Sequence, residues 1–352
     1  MTMDSLRPNI RAMKGYTPGE QPRDGGFIKL NTNESPYPPS PRVFEALREA
    51  LTGDRLRKYP DPVGTAFRQT AGRVLGVDPD AILIGNGSDD ILTILTRAFV
   101  PEGGLVASPT PSYLLYRTLA ELQGARFRTV LFNADWSLPS PWPIPDAHLT
   151  FLANPNSPSG TVVPPRQRGE LLSRLRGPLV IDEAYADFAD DNALDDVRSH
   201  GADGKLIVTR SLSKSYALAG VRFGFAVTTP ALVRELVKVK DSYNCDVLSL
   251  TAAAAALEDQ AYLRATRAKI LATRSRMLDE LPKLGFAACP SQANFVWCRR
   301  DDRPVKAIYE ALKSRGILVR YMVYDGYGDG LRISVGTDAE IDRLFEELKG
   351  LV

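Results

Sequence analysis

The chain has 352 residues, long enough for two domains that each bury a core. Its 44 basic and 42 acidic residues are spread along the sequence and leave a formal charge of +2, which argues against a nucleic-acid footprint or a polybasic membrane anchor and leaves small molecules as the expected partners. Three scattered cysteines and two histidines give no disulfide framework, no metal site and no histidine relay; with no apolar run of signal-peptide or membrane-span length, a cytoplasmic protein is expected.

The first forty residues, rich in Pro, Gly and Asn and ending in "NTNESPYPPSP", read as an extended arm with turns. "PRVFEALREAL" has apolar residues at helical spacing behind a serine-proline start. From there to about residue 230, short apolar runs alternate with amphipathic segments. "AILIG", "GGLVASP", "RFRTVLF", "LTFLANP", "GPLVIDEAY", "KLIVTRSL" and "RFGFAVT" predict strands, and "DDILTILTRAFV", "SYLLYRTLAELQG" and "RQRGELLSRLR" predict helices. That alternation predicts an α/β domain with a mostly parallel central sheet, whose ligands bind beyond the carboxyl ends of the strands. The proline-rich "SLPSPWPIPD" reads as a loop. A helical stretch from about Val247 to Leu281 comes next, and then "NFVWCR", "GILVR" and "LRISVG" alternate with "VKAIYEALKSR" and "EIDRLFEELKG" as a smaller α+β domain. The expected division is an arm with part of the small domain over 1–45, the large domain over 46–284 and the small domain over 285–352.

Four strand ends carry polar groups suited to chemistry. Asp182 in "GPLVIDEAY" ends an apolar run, so its carboxylate is expected to be buried and to demand a cationic partner; a helix cap or core ion pair is the plainer reading. "GNGSDD" opens a helix, where the amides of Gly87, Ser88 and Asp89 suit an anion, or form a tight turn with a serine cap. "NPNSPSG" over 154–160 is a turn-dense loop that says little alone. In "TRSLSKSYALAGVRFGF", Lys214 stands with Ser211, Ser213 and Arg222; hydroxyls and a planar guanidinium recognise phosphate, and an amine crowded by an arginine has its charged form disfavoured, as a Schiff-base lysine requires. A single lysine is most often solvated, but the coincidence of four strand-end features selects the chemical reading. "SLSK" matches the S-x-x-K of serine β-lactamases without S-D-N or K-T-G downstream, "GADGK" lacks the first glycine and the Ser/Thr of a P-loop, and no G-x-G-x-x-G opens a helix.

The ordered set "NTNESP", "KYPDP", "GNGSDD", "PTPSY", "NPNSPSG", "DEAYADF", "SLSKSYALAGVRFG", "SQANFVW" and "LRISVGT" resembles fold-type I pyridoxal-phosphate-dependent aminotransferases, and within them the histidinol-phosphate aminotransferases. The resemblance spans nearly the whole chain. It implies that Lys214 forms the internal aldimine and shuttles a proton between the substrate α-carbon and the cofactor's C4′. Asp182 pairs with the pyridine nitrogen, Tyr185 hydrogen-bonds the phenolic oxygen, and Tyr113 stacks on the ring. The phosphate sits on the amides at Ser88 and Asp89 and against Ser211, Ser213 and Arg222. Tyr59 reaches the phosphate in the neighbouring subunit, which makes the enzyme a homodimer.

The family loop usually reads N-P-N-N-P-T-G; here Ser157 replaces the asparagine that binds the phenolic oxygen, and either Ser157 or Asn156 serves. For substrates the resemblance implies Arg332 as the carboxylate clamp, shared with the phosphate of histidinol phosphate with help from Arg320 and Tyr16. Asn33 and Glu34 lie on the closing arm, Glu34 toward an imidazole, and Asn294 supports the small domain. The implied reaction interconverts imidazole-acetol phosphate plus L-glutamate with L-histidinol phosphate plus 2-oxoglutarate. The alternatives are an aromatic-amino-acid aminotransferase or a threonine-phosphate decarboxylase; a cofactor-bearing regulator would need a fused DNA-binding domain, for which no segment has room.

Overall fold

Strand runs that are apolar at every position belong in a sheet covered on both faces, and that is where they lie. The computed structural model of the protein describes residues 5–22, 26–200 and 203–352; Gly201 and Ala202 of the "GADGK" motif lie outside the described residues. Strand β1 (Ile28–Leu30) comes from the arm. After it come β2 (Ile82–Gly85), β3 (Leu105–Thr110), β4 (Arg126–Leu131), β5 (Leu149–Ala153), β6 (Leu179–Asp182), β7 (Leu206–Ser211) and β8 (Gly224–Val227). The last seven form one sheet in the order β2-β8-β7-β6-β5-β3-β4, in which β4, β3, β5, β6 and β7 run parallel. Strand β8 is antiparallel to both its neighbours.

The period of two along these strands divides the core. Ala107, Leu152, Ile181 and Val208 join one apolar cluster, while Val106, Phe151, Val180 and Ile207 join another on the opposite face. Helices such as Thr65–Leu75 and Ser88–Phe99 supply the covering layers. The edge strand β4 exposes Arg126 and Arg128, charges that discourage pairing with another edge.

The smaller sheet adds β9 (Ala287–Ala288), β10 (Phe295–Arg299), β11 (Ile317–Tyr324) and β12 (Gly328–Ser334), in the order β1-β11-β12-β10-β9. Ile28 pairs with Ile317 in parallel register, so the arm is stitched into the small sheet rather than lying loose. The arm is also not wholly extended, since Pro8–Ala12 forms a short helix. The expected helical stretch after Val247 is two helices, Val247–Glu258 and Gln260–Lys283. Asp259 divides them: it leaves helical geometry at φ −89° and ψ 67°, and its carboxylate accepts from the Tyr262 amide and, at 2.6 Å, from the Ser40 hydroxyl. Ile270, Met277 and Leu281 of the second helix belong to the core of the small sheet, whereas the sequence reading ends the large domain at residue 284. Among the described residues no helix is long and apolar enough to cross a membrane.

Candidate active site

The carboxyl ends of the parallel strands converge on a pocket of about 340 Å³, closed from the small sheet by Arg320, Tyr324 and Arg332 and covered by arm residues Tyr16 and Asn31 to Glu34. Lys214, three residues beyond β7, projects into it. Its Nζ donates to the Thr32 carbonyl at 3.0 Å. Protein surrounds the amine, and that loss of water lowers its pKa to about 8, with the Arg332 guanidinium next in effect. Glu34 and Asp89 oppose the shift, and Arg222, the expected cause, contributes less than Arg332.

Asp182 ends β6, buried and facing the pocket. Its expected cationic partner does not lie among the described residues. Tyr116 Oη donates to Oδ2 at 2.8 Å and Thr209 Oγ1 to Oδ1 at 3.2 Å, and no lysine or arginine pairs with it among the described residues. Burial raises its pKa to about 6, with these hydroxyls pulling it back.

A second cluster lies at the N-terminus of the helix Ser88–Phe99. Gly87 is its cap at φ 83° and offers no side chain, so the first amides keep their donors for a ligand. A Cβ on Gly87 would come within 2.8 Å of Arg222 Nη2. The Arg222 guanidinium reaches Ser213 Oγ and Asp89 Oδ2, each at 3.4 Å, and the Ser213 amide donates to Ser211 Oγ at 3.2 Å. The Asp89 carboxylate, an unforeseen member, also accepts from Tyr113 Oη at 3.2 Å.

Tyr113 stands on the pocket wall, its ring edge-on to Tyr16 at 5.9 Å and to Tyr116 at 5.6 Å. Tyr185 Oη accepts from Asn33 Nδ2 at 3.0 Å. Asn33, at φ 56°, is fixed by Ser334 Oγ on its amide and by Asn294 Nδ2 on its carbonyl, which gives Asn294 a structural contact. Burial would raise the Glu34 carboxyl, but Lys29 and Thr32 hydrogen-bond it and hold it below its ordinary value.

The two neighbours in the "NPNSPSG" loop face different ways. Asn156 is committed to the Pro111 carbonyl, Ser159 Oγ and Ser112 Oγ at 2.9 to 3.0 Å and does not line the pocket. Ser157 does, and its Oγ accepts from Arg332 Nη1 at 2.9 Å. Among the described residues neither pocket arginine of the small sheet has a carboxylate partner: Arg332 otherwise holds the Asn31 carbonyl, and Arg320 holds those of Thr17 and Pro18. Two guanidiniums thus stand on the small-sheet side of the pocket.

Tyr59 is not in this pocket. It is 81% exposed and stacks on Tyr243 at 4.4 Å. The sequence reading missed Tyr116, Thr209 and Tyr324. Thr209 carries a period-two signal, two residues before Ser211 on one strand, whereas Tyr116 and Tyr324 reach the site through helix and hairpin placement.

Residues 26–348 match the family described as aminotransferase class I and II. The chain belongs to that family. This aminotransferase is 53% identical over 339 residues to the histidinol-phosphate aminotransferase of Rhodopirellula baltica, covering 96% of this chain and 92% of that one. It is 47% identical to the corresponding protein of Syntrophotalea carbinolica, covering 98% and 99%. Among solved structures, the histidinol-phosphate aminotransferase of Sinorhizobium meliloti in complex with pyridoxal-5'-phosphate superposes with a TM-score of 0.87 at 29% identity, covering 100% and 99% of the two chains. The fold is that of fold-type I pyridoxal-phosphate-dependent enzymes.

Proposed function

We propose that this aminotransferase uses pyridoxal 5′-phosphate to interconvert imidazole-acetol phosphate plus L-glutamate with L-histidinol phosphate plus 2-oxoglutarate, a step of histidine biosynthesis carried out in the cytoplasm. The observation that carries the cofactor reading is the pairing, in one pocket, of an enclosed lysine with a buried carboxylate whose side-chain partners among the described residues are hydroxyls. The names of relatives 43 to 53% identical support the substrate.

The residues present fit the cofactor. An anionic phosphate suits the free amides at Ser88 and Asp89 with Ser211, Ser213 and Arg222. A protonated pyridine nitrogen would supply the cation that Asp182 lacks among the described residues, and Tyr113, on the pocket wall, would suit its ring. Tyr185, with Ser157 on the same wall, suits the phenolic oxygen. The chemistry supplied on binding is an aldehyde for amino-group capture and an electron-accepting ring.

The chain's own residues do the rest. Lys214, its amine partly neutral near pH 8, acts as nucleophile and moves the proton at the substrate α-carbon. Arg332 and Arg320, without carboxylate partners, bind the carboxylate of glutamate or the phosphate of histidinol phosphate, with Tyr16 at the same mouth. Glu34, held ionised by Lys29, suits a protonated imidazole. The arm excludes water. Tyr59, exposed and outside its own pocket, is read as reaching the phosphate site of a second copy in a homodimer. The test is 2-oxoglutarate formation from glutamate that depends on imidazole-acetol phosphate. It should vanish in Lys214→Ala, and retained transamination would overturn the assignment.

A further inference from the structure

Tyr116 is a fully buried tyrosine that touches both Asp182 and Tyr113, the residues proposed above to face the cofactor ring. Its hydroxyl donates to Asp182 Oδ2 at 2.8 Å, and its ring meets Tyr113 edge-on at 5.6 Å. It is fixed from behind by stacking on Phe151 of β5, with centroids 4.7 Å apart and planes 11° apart. On the other side, the parallel register of β6 and β7 pairs Asp182 with Thr209, which sets the threonine hydroxyl 3.2 Å from Oδ1. Tyr116 and Thr209 have no exposed surface.

We propose that Tyr116 and Thr209 are positioning residues: their hydroxyls hold the two oxygens of Asp182 from the protein side and aim its charged form at the pyridine nitrogen of the cofactor. The proposal rests on the pyridoxal-phosphate reading above. A buried carboxylate with no cationic partner among the described residues is costly to ionise, and two donors, joined by the Ala184 amide, lower that cost. Two oxygens fixed by separate elements also leave the carboxylate little rotation, which a hydrogen bond to a planar ring demands.

Burial sets Asp182 at about 6 against an ordinary 3.8, with Tyr116 and Thr209 pulling it down and Asp89 pushing it up. Other titratable groups face the same space: Tyr113 and Tyr185 beside Asp182, and Lys214, Arg222 and Arg332 across the pocket. Removing a donor raises Asp182 further. At high pH the carboxylate is ionised with or without cofactor and loses the donor in both states, so affinity changes little. At low pH the empty site is protonated and loses little, while the occupied site still needs the charge, so affinity falls.

The test is the dissociation constant of pyridoxal phosphate for Tyr116→Phe and Thr209→Val, each divided by that of the unaltered protein at the same pH, so that titration of Lys214 and of the cofactor itself cancels. A shift of one pKa unit in Asp182 predicts a ratio of about 10 near pH 5.5, falling to within about twofold near pH 8.5. Thr209→Ser, which keeps the hydroxyl, should return the ratio to near one at both ends. A ratio that is the same at every pH, including one, is what a purely packing role gives and would overturn the proposal. Should Tyr116→Phe not fold, Thr209→Val and Thr209→Ser decide the question on the other oxygen. Failure of the unaltered protein to bind the cofactor at any pH would instead overturn the cofactor reading.

Discussion

Lys214 Nζ donates a 3.0 Å hydrogen bond to the main-chain carbonyl of Thr32, so this pocket amine touches the arm that covers it. Residues 182 positions apart meet because β1 pairs with β11 and carries the arm back over the strand ends of the large sheet. The contact ties the arm to the amine proposed as nucleophile.

The state of that amine sets the first expected outcome. With its pKa lowered to about 8 by burial and then by Arg332, the apoprotein should capture pyridoxal phosphate at a rate that rises through about pH 8, since only the neutral amine attacks. Arg332→Gln removes a lowering charge and should move the inflection upward. Stopped-flow absorbance against pH reads both, and an inflection near the ordinary 10.5 would contradict the depressed amine.

The proposed phosphate cradle depends on two residues of opposite character. Arg222→Ala removes the guanidinium, and Gly87→Ala places a Cβ 2.8 Å from it at a positive φ. Each should weaken cofactor binding about tenfold or more, as expected for loss of a charge-assisted contact. Fluorescence titration of the apoprotein measures it.

The loop "NPNSPSG" separates support from contact. Asn156→Ala strips three buried hydrogen bonds and should cost about 1–3 kcal/mol in urea unfolding, because the Pro111 carbonyl and the Ser112 and Ser159 hydroxyls lose partners. Ser157→Ala frees Arg332 Nη1 and should instead raise the KM for glutamate with a smaller effect on unfolding.

Tyr59 gives the proposed homodimer a functional assay. Mixing Tyr59→Ala with Lys214→Ala and allowing subunit exchange should restore turnover, because each mixed dimer holds one site with both residues intact. Turnover no greater than the sum of the separate variants would contradict the shared site.

The strand ends were legible because apolar runs alternating with amphipathic segments fix a parallel sheet, and such a sheet gathers the residues at and just past its carboxyl ends: Ser88, Asp182, Ser211 and Lys214 meet for that reason. Contacts made by apposition of separate elements were not legible. Thr209 meets Asp182 only through the register of β6 and β7, and Tyr116 only because one helix face packs on β5. A cation was expected beside Asp182, since nothing local says that two hydroxyls stand there instead. Asp259 breaks the long helix although aspartate within an alanine-rich run is no breaker by itself; its cap bonds to Tyr262 and Ser40 belong to tertiary structure.

The most direct test of the central claim is the visible spectrum of the purified protein saturated with pyridoxal phosphate and titrated separately with L-histidinol phosphate, L-glutamate and L-phenylalanine. Conversion of the bound cofactor to its aminated form by both histidinol phosphate and glutamate, and only weakly by phenylalanine, is the predicted result. A bound-cofactor band that forms normally but is left unchanged by histidinol phosphate would contradict the substrate assignment and leave the fold and the cofactor site standing.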